Sequence, residues 1–182
     1  RNRQWRHSRA GWEDLVKSWV RRQKPEDLLN VDIFFDAATV HGERSLGDTL
    51  IGEAKRLAQA TPDFLMMLTE LARRWRSPVT LLGGFQRTDG RLDLKKFGLM
   101  PIFTGARVLA LRHGVPARST AERLDGVLSR GIGSKETMDA ILEAHEVLLG
   151  AVLAQQLVDV QRGVPLSPRI DVDRLDKSQR KA

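Results

Sequence analysis

The segment "SKETMDAILEAHEVLLGAVLAQQLVDVQR", Ser134 to Arg162, decides the fold class. It opens on a serine suited to capping a helix and runs for about 29 residues, or ~43 Å at 1.5 Å each. Met138, Ile141, Leu142, Leu148, Leu149, Val152, Leu153 and Leu157 recur at helical spacing, which predicts a broad buried face. A helix this long needs other helices to cover it, so the expected architecture is mainly α, a helical bundle around this long C-terminal helix. His145, Gln155 and Gln156 fall on or beside the apolar face and read as hydrogen-bonded core or interface residues.

Upstream of it the chain is punctuated as a series of helices. Ser119 and Thr120 cap one that reaches about Ser129, and another runs from about Pro101 to His113, closed by Gly114 and Pro116. Thr61, Pro62 and Asp63 start a helix ending near Trp75. Ser45 with Asp48 resembles a capping box for a helix to about Ala60. Between these, Pro78, Gly83, Gly84 and Gly90 mark a connector in which "VTLLGGF" reads as a short strand or extended loop. After Gly163, Pro165 and Pro168 imply an extended tail with a frayed charged end.

The first 42 residues read differently. Trp12, Leu15, Val16 and Trp19 make an amphipathic helix over Ser8 to Val20, and Trp5, Trp12 and Trp19 recur every seven residues. Such a stripe either packs in a core or, interleaved with arginines, stacks on bases. Pro25 with Glu26 and Asp27 predicts a short helical turn. "VDIFF", Val31 to Phe35, is β-branched and aromatic and reads as a strand. Asp32 and Asp36, four apart on a strand, would share one face, where two carboxylates either hold a divalent metal or serve as an edge residue and a turn former.

Composition narrows the function classes. The chain has 182 residues, 41% of them hydrophobic, which is room for one good-sized domain. It has no cysteine, so disulfides and thiolate metal sites are excluded. No uninterrupted apolar run approaches the roughly 20 residues of a membrane span, and the arginine-rich start lacks an apolar signal core, so a cytoplasmic protein without a membrane partner is expected. A start without Met, inside a basic segment, reads as part of a longer polypeptide. Of the formal charge of +7, residues 1–24 hold +6, eight Lys/Arg against Glu13 and Asp14, so a nucleic-acid surface would have to lie there.

Two further groups carry possible chemistry. In "RLDLKKFGLMPI", alternating Leu92 and Leu94 present Asp93 and Lys95 together just before a helix start, either as a phosphate-facing pair or as a surface ion pair. Arg107, Arg112 and Arg123 lie on mostly apolar helices, where arginines pair with acids, snorkel, or clamp a phosphate. Phosphate-loop, nucleophile-elbow, zinc-protease and dinucleotide glycine motifs are all absent.

The ordered set "LLNVDIFFDAATVHGE", "RLDLKKFGLMPI", "ARVLALRHGV", "STAERLDGVL" and "LLGAVLAQQL" resembles the nucleotidyltransferase substrate-binding domain family. That family is the carboxy-terminal part of bacterial signalling proteins carrying cyclic-nucleotide-binding, CBS and nucleotidyltransferase domains. It is similar to the uridylyl- and adenylyltransferases that modify the PII protein and glutamine synthetase. The resemblance implies that residues 1–42 are a helix-strand remnant of a polymerase-β-like catalytic domain, 43–163 the helical substrate-binding domain, and 164–182 the tail.

It also implies that Asp36 or Asp32 is the third catalytic and metal-binding carboxylate, with Mg²⁺ and NTP bound in the intact protein and neither held tightly by this part alone. Asp93, Lys95, Gly98 and Leu99 match the Leu-Lys and glycine motif of the relatives, but Met100 and Pro101 replace its polar residues and its second glycine is missing. Asp93, Lys95, Gly98, Arg107 and Arg123 are then the nucleotide- and substrate-binding candidates. The glycine-serine loop and D-x-D pair of the catalytic domain are absent from this chain, so it would be inactive alone. The implied partners are the upstream domains and a protein acceptor; the rival readings are a basic nucleic-acid-binding module and a non-catalytic scaffold.

Overall fold

The computed structural model describes residues 5–22, 30, 31, 33–74, 77–79 and 84–174. The Pro25 turn, Asp32, Trp75, the centre of "VTLLGGF" and the end of the tail lie outside the described residues. The chain is mainly helical: α1 (Arg9–Arg22), α2 (Arg44–Gln59), α3 (Pro62–Arg73), α4 (Met100–Arg112), α5 (Thr120–Leu128) and α6 (Lys135–Gln161). Two short strands, β1 (Leu92–Asp93) and β2 (Arg169–Ile170), pair antiparallel with Leu92 opposite Ile170. Val79 and Phe85 form an isolated antiparallel bridge in the connector.

Most helix boundaries follow from local chemistry. The Ser119 and Ser134 side chains accept hydrogen bonds from the amides of Glu122 and Thr137, each satisfying a first-turn donor that has no partner within the helix. Pro62 occupies the first turn of α3, where its missing N–H costs nothing. At the end of α4, Gly114 adopts φ 68°, and Val115 N–H donates to Ala110 at 2.8 Å while Gly114 N–H donates to Leu111 at 3.3 Å. That pair of bonds is a Schellman close, which needs a residue tolerant of positive φ. The expected Ser45–Asp48 box does not form. Glu43 is the cap residue of α2 instead, and the Ser45 hydroxyl donates to its carboxylate at 2.6 Å.

The expected strand at Val31–Phe35 is also corrected: the described residues 30, 31, 33 and 34 are helical, and Phe35 N–H donates to Val31 C=O at 2.9 Å. Val31, Phe34 and Phe35 are buried while Ile33 is 56% exposed, which is the i, i+3, i+4 pattern of a helix face rather than strand alternation.

Three apolar clusters make the core, and α4 touches all of them. Val108 and Leu111 join Val16, Trp19, Val20, Phe34, Phe35, Ala58 and Phe64, so the amino-terminal segment shares one core with α2, α3 and α4. Ala106 and Ala110, on the other side of α4, pack with Val115, Leu124, Val127 and Met138. Phe103 reaches the third cluster, where Leu92, Leu94 and Leu99 meet Ala151, Val152, Ile170 and Val172. The tail is therefore extended at β2 but packed there, with Ile170 and Val172 each 2% exposed.

The long helix buries less than its sequence implies. Met138 and Val152 are buried, but Leu153 and Leu157 are exposed. By length and composition alone α6 is apolar enough to cross a bilayer. Its inner face, however, is anchored by polar groups. Arg91 donates through both guanidinium arms to the fully buried Asp159, Gln155 donates to the same carboxylate, and the Gln155 carbonyl accepts from the Asp171 amide. These contacts tie α6 to one end of the β1–β2 pair, where Arg91 enters β1 and Asp171 leaves β2 beside the Leu92–Ile170 pairing.

Trp12 and Trp19 of the tryptophan stripe pack inward, while Trp5 covers them and stays exposed. Trp5, Trp12 and Trp19 have mutual ring centroid distances of 6.0 to 6.4 Å, and Trp12 sits 5.2 Å from Phe34. Arg9 pairs with Glu13 and Glu53, so these aromatics and this arginine are engaged within the chain. Trp19→Ala is expected to lower unfolding stability by about 3–5 kcal/mol, the usual cost of deleting a buried aromatic. Urea unfolding followed by circular dichroism measures it, and a loss under about 1 kcal/mol would show the stripe to be peripheral.

Candidate functional site

Asp36 follows the helical turn at 30–34 and projects toward α4 and α5, 71 and 87 residues further along the chain. Arg107 of α4 donates to one carboxylate oxygen and Arg123 of α5 to the other. Arg123 is 3% exposed, and its Nε also donates to the Ala117 carbonyl at 3.1 Å. Burying a guanidinium is costly unless its donors are met, and here a carboxylate and a backbone oxygen meet them. Burial pushes the Asp36 carboxyl up, but the hydrogen bonds and charges of Arg107 and then Arg123 outweigh it and hold the group below its ordinary value of 3.8.

Beside this cluster runs α2. Lys55 donates to the Pro116 carbonyl at 3.2 Å, and Gln59 donates to the Leu111 carbonyl at 2.9 Å, fixing α2 against the end of α4. The Lys55 ammonium lies below its ordinary value: burial lowers it first, Arg123 next, Asp36 opposes, and Arg118 lowers it again. A cavity of about 260 Å³ is lined by Phe35, Lys55, Gln59, Arg107, Leu111, Val115 and Arg123. Gly52, Lys55 and Pro116 also border a second cavity of about 400 Å³ that opens toward Arg44 and Arg118.

Of the residues singled out from sequence, the fold thus brings together Asp36, Arg107 and Arg123. It does not join the Asp93–Gly98 turn to them. Residues 95–112 form a continuous helical run, a π turn (Lys95–Leu99) leading into α4, so Lys95 lies roughly 18 Å along the axis from Arg107. Lys95 is exposed. Asp93 accepts from the Lys96 amide at 2.9 Å, capping the π turn. A side chain on Gly98 would come within 2.8 Å of Leu148, so this glycine lets α6 approach. Asp93 and Gly98 thus have local structural roles here.

The described residues do not by themselves fit Mg²⁺. Both Asp36 oxygens are engaged by guanidiniums, Lys55 lies nearby, and among the described residues no three His, Asp or Glu side chains come together. Asp32 lies outside the described residues. Sequence reasoning missed Lys55, Arg44 and Arg118. The signal was available for two of them: Arg44, Asp48 and Lys55 fall at i, i+4 and i+11 on one helix face, opened in its middle by Gly52.

A family model described as "Putative nucleotidyltransferase substrate binding domain" matches residues 62–182, about two thirds of the chain. No curated protein and no solved structure matches. Arg107 and Arg123 fall inside the matched region, whereas Asp36 and Lys55 precede it.

Asp36→Asn keeps the shape of the acceptor but removes its charge. A third of the Asp36 side chain is exposed, so the expected loss is about 2 kcal/mol, below the roughly 3–5 of a fully buried pair. Because the folded carboxyl titrates below 3.8, its contribution is complete at neutral pH and disappears as pH falls through the folded value. The stabilities of wild type and Asp36→Asn therefore converge in acid, below the ordinary carboxylate range. Equal stability at neutral pH would show that the ion pairs contribute nothing.

Proposed function

The chain belongs to the nucleotidyltransferase substrate-binding domain family, and from this premise we propose that it is the substrate-binding part of a cytoplasmic bacterial signalling protein that transfers a nucleoside monophosphate from NTP to a protein acceptor. The observation that carries the reading is the family match, and the geometry supports it. The matched helices α4 and α5 present Arg107 and Arg123 to a cavity whose remaining wall, Phe35 and Lys55, comes from residues ahead of the match. A substrate held there would meet both parts of the chain at once.

In this reading the NTP and its metal are bound by a catalytic domain elsewhere in the intact protein. The contribution of this chain is to bind and orient. Asp36 holds Arg107 and Arg123 in fixed positions, and Lys55, anchored on Pro116, supplies a positive charge at the cavity edge. Pre-positioned cations of this kind favour whichever partner brings negative charge to the wall without needing to reorganise.

The test uses NTP labelled at the α-phosphate. The intact protein transfers label to a protein acceptor, and residues 1–182 alone do not. Arg107→Ala in the intact protein lowers transfer at least about tenfold by weakening acceptor or nucleotide engagement. Transfer by the isolated chain, or an intact protein that never labels an acceptor with any NTP, would overturn the reading.

A further inference from the structure

The larger cavity next to the Asp36 cluster holds more positive charge than its own residues neutralise. It measures about 400 Å³ and is bounded by residues 37–39, one face of α2, and Pro116 and Arg118 from the loop between α4 and α5. Arg44, Lys55 and Arg118 line it against the one carboxylate of Asp48. None of the three cations has an ion pair among the described residues. The Lys55 ammonium donates once, to Pro116, which leaves two of its three donors. The Thr39 hydroxyl, on the same wall, is buried without a hydrogen-bond partner.

Like charges crowded into a partly desolvated cleft repel one another, and a multiply charged anion converts that repulsion into attraction. A single carboxylate would leave most of the donors unused. A phosphate chain presents several oxygens along its length, matching two guanidinium forks and an ammonium. The volume suits it, being within the roughly 300–1,000 Å³ of small-molecule sites. The wall is also shaped to persist: Gly47 lies directly against the Thr39 hydroxyl, where any side chain would overlap it. The adjoining 260 Å³ cavity, sharing Gly52, Lys55 and Pro116, is walled by Phe35, Leu111 and Val115, a lining suited to an apolar ring.

We propose that this cleft binds a polyphosphate through Arg44, Lys55 and Arg118, either the phosphate chain of a nucleoside triphosphate or free inorganic polyphosphate. The inference goes beyond the transfer reading, since it assigns a ligand to residues outside the family match and requires no chemical step.

Calorimetric titration of the full 182-residue chain with inorganic tripolyphosphate, ATP and UTP tests it. Saturable tripolyphosphate binding that weakens with added salt is expected. Arg44→Ala and Arg118→Ala, both at exposed positions, each weaken it about tenfold, as does Lys55→Met. Lys135→Ala, at the start of α6 and outside the cleft, leaves it unchanged. Circular dichroism confirms that each variant retains its helices.

ATP or UTP binding more tightly than tripolyphosphate identifies the nucleotide as the source, with its base in the adjoining cavity. Equal affinities identify free polyphosphate. Absence of saturable tripolyphosphate binding, or weakening by Lys135→Ala equal to that by Arg118→Ala, overturns the proposal. Binding by the chain combined with no nucleotidyl transfer by the intact protein would leave this site standing and remove only the transfer reading.

Discussion

The fold depends on one buried charge. Arg123 lies almost wholly out of water on α5, and a guanidinium in that position persists only if its donors are met. Asp36 meets one, from a segment 87 residues away, and shares its other oxygen with Arg107 on α4. The arrangement fixes how the amino-terminal segment, α4 and α5 meet. Apolar packing alone is less selective about direction, because a hydrophobic face accepts neighbours over a range of positions. A carboxylate held between two guanidiniums does not.

A second polar anchor does comparable work at the other end of the bundle. Asp159, Arg91 and Gln155 attach α6 to the β1–β2 pair, so a helix with much of its apolar surface exposed still has a defined seat. Hydrogen bonds from Arg91 and then Gln155 outweigh burial and hold the Asp159 carboxyl below its ordinary value, so its contribution too is lost only in acid. Between the two anchors, α4 supplies the continuous apolar surface that all three core clusters share.

What could be read from sequence divides along a physical line. Ser119, Ser134, Pro62 and Gly114 act within a few residues of themselves, and each marks a boundary close to where the helix begins or ends. "VDIFF" misled because its composition favours a strand while Val31, Phe34 and Phe35 also satisfy a helical face; five residues are too few for periodicity to arbitrate. Asp36, Arg107 and Arg123 could be singled out as chemistry-bearing residues, but nothing local says that a carboxylate will find two arginines so far along the chain. Leu153 and Leu157 fit the helical stripe and yet face outward, because at their own level of α6 the covered side is the one carrying Val152, Gln155 and Asp159, and the apolar stripe is wider than that side.

The Asp36 pin also bears on where this protein can be divided. The family match begins at Pro62, and a piece cut there would keep Arg107 and Arg123 while discarding the carboxylate that joins them. It would lose Trp19, Phe34, Phe35 and Ala58 as well, opening the side of α4 that carries Val108 and Leu111. The smallest piece able to keep its own interior closed is therefore larger than the span of the family match, and an expression boundary belongs ahead of α1.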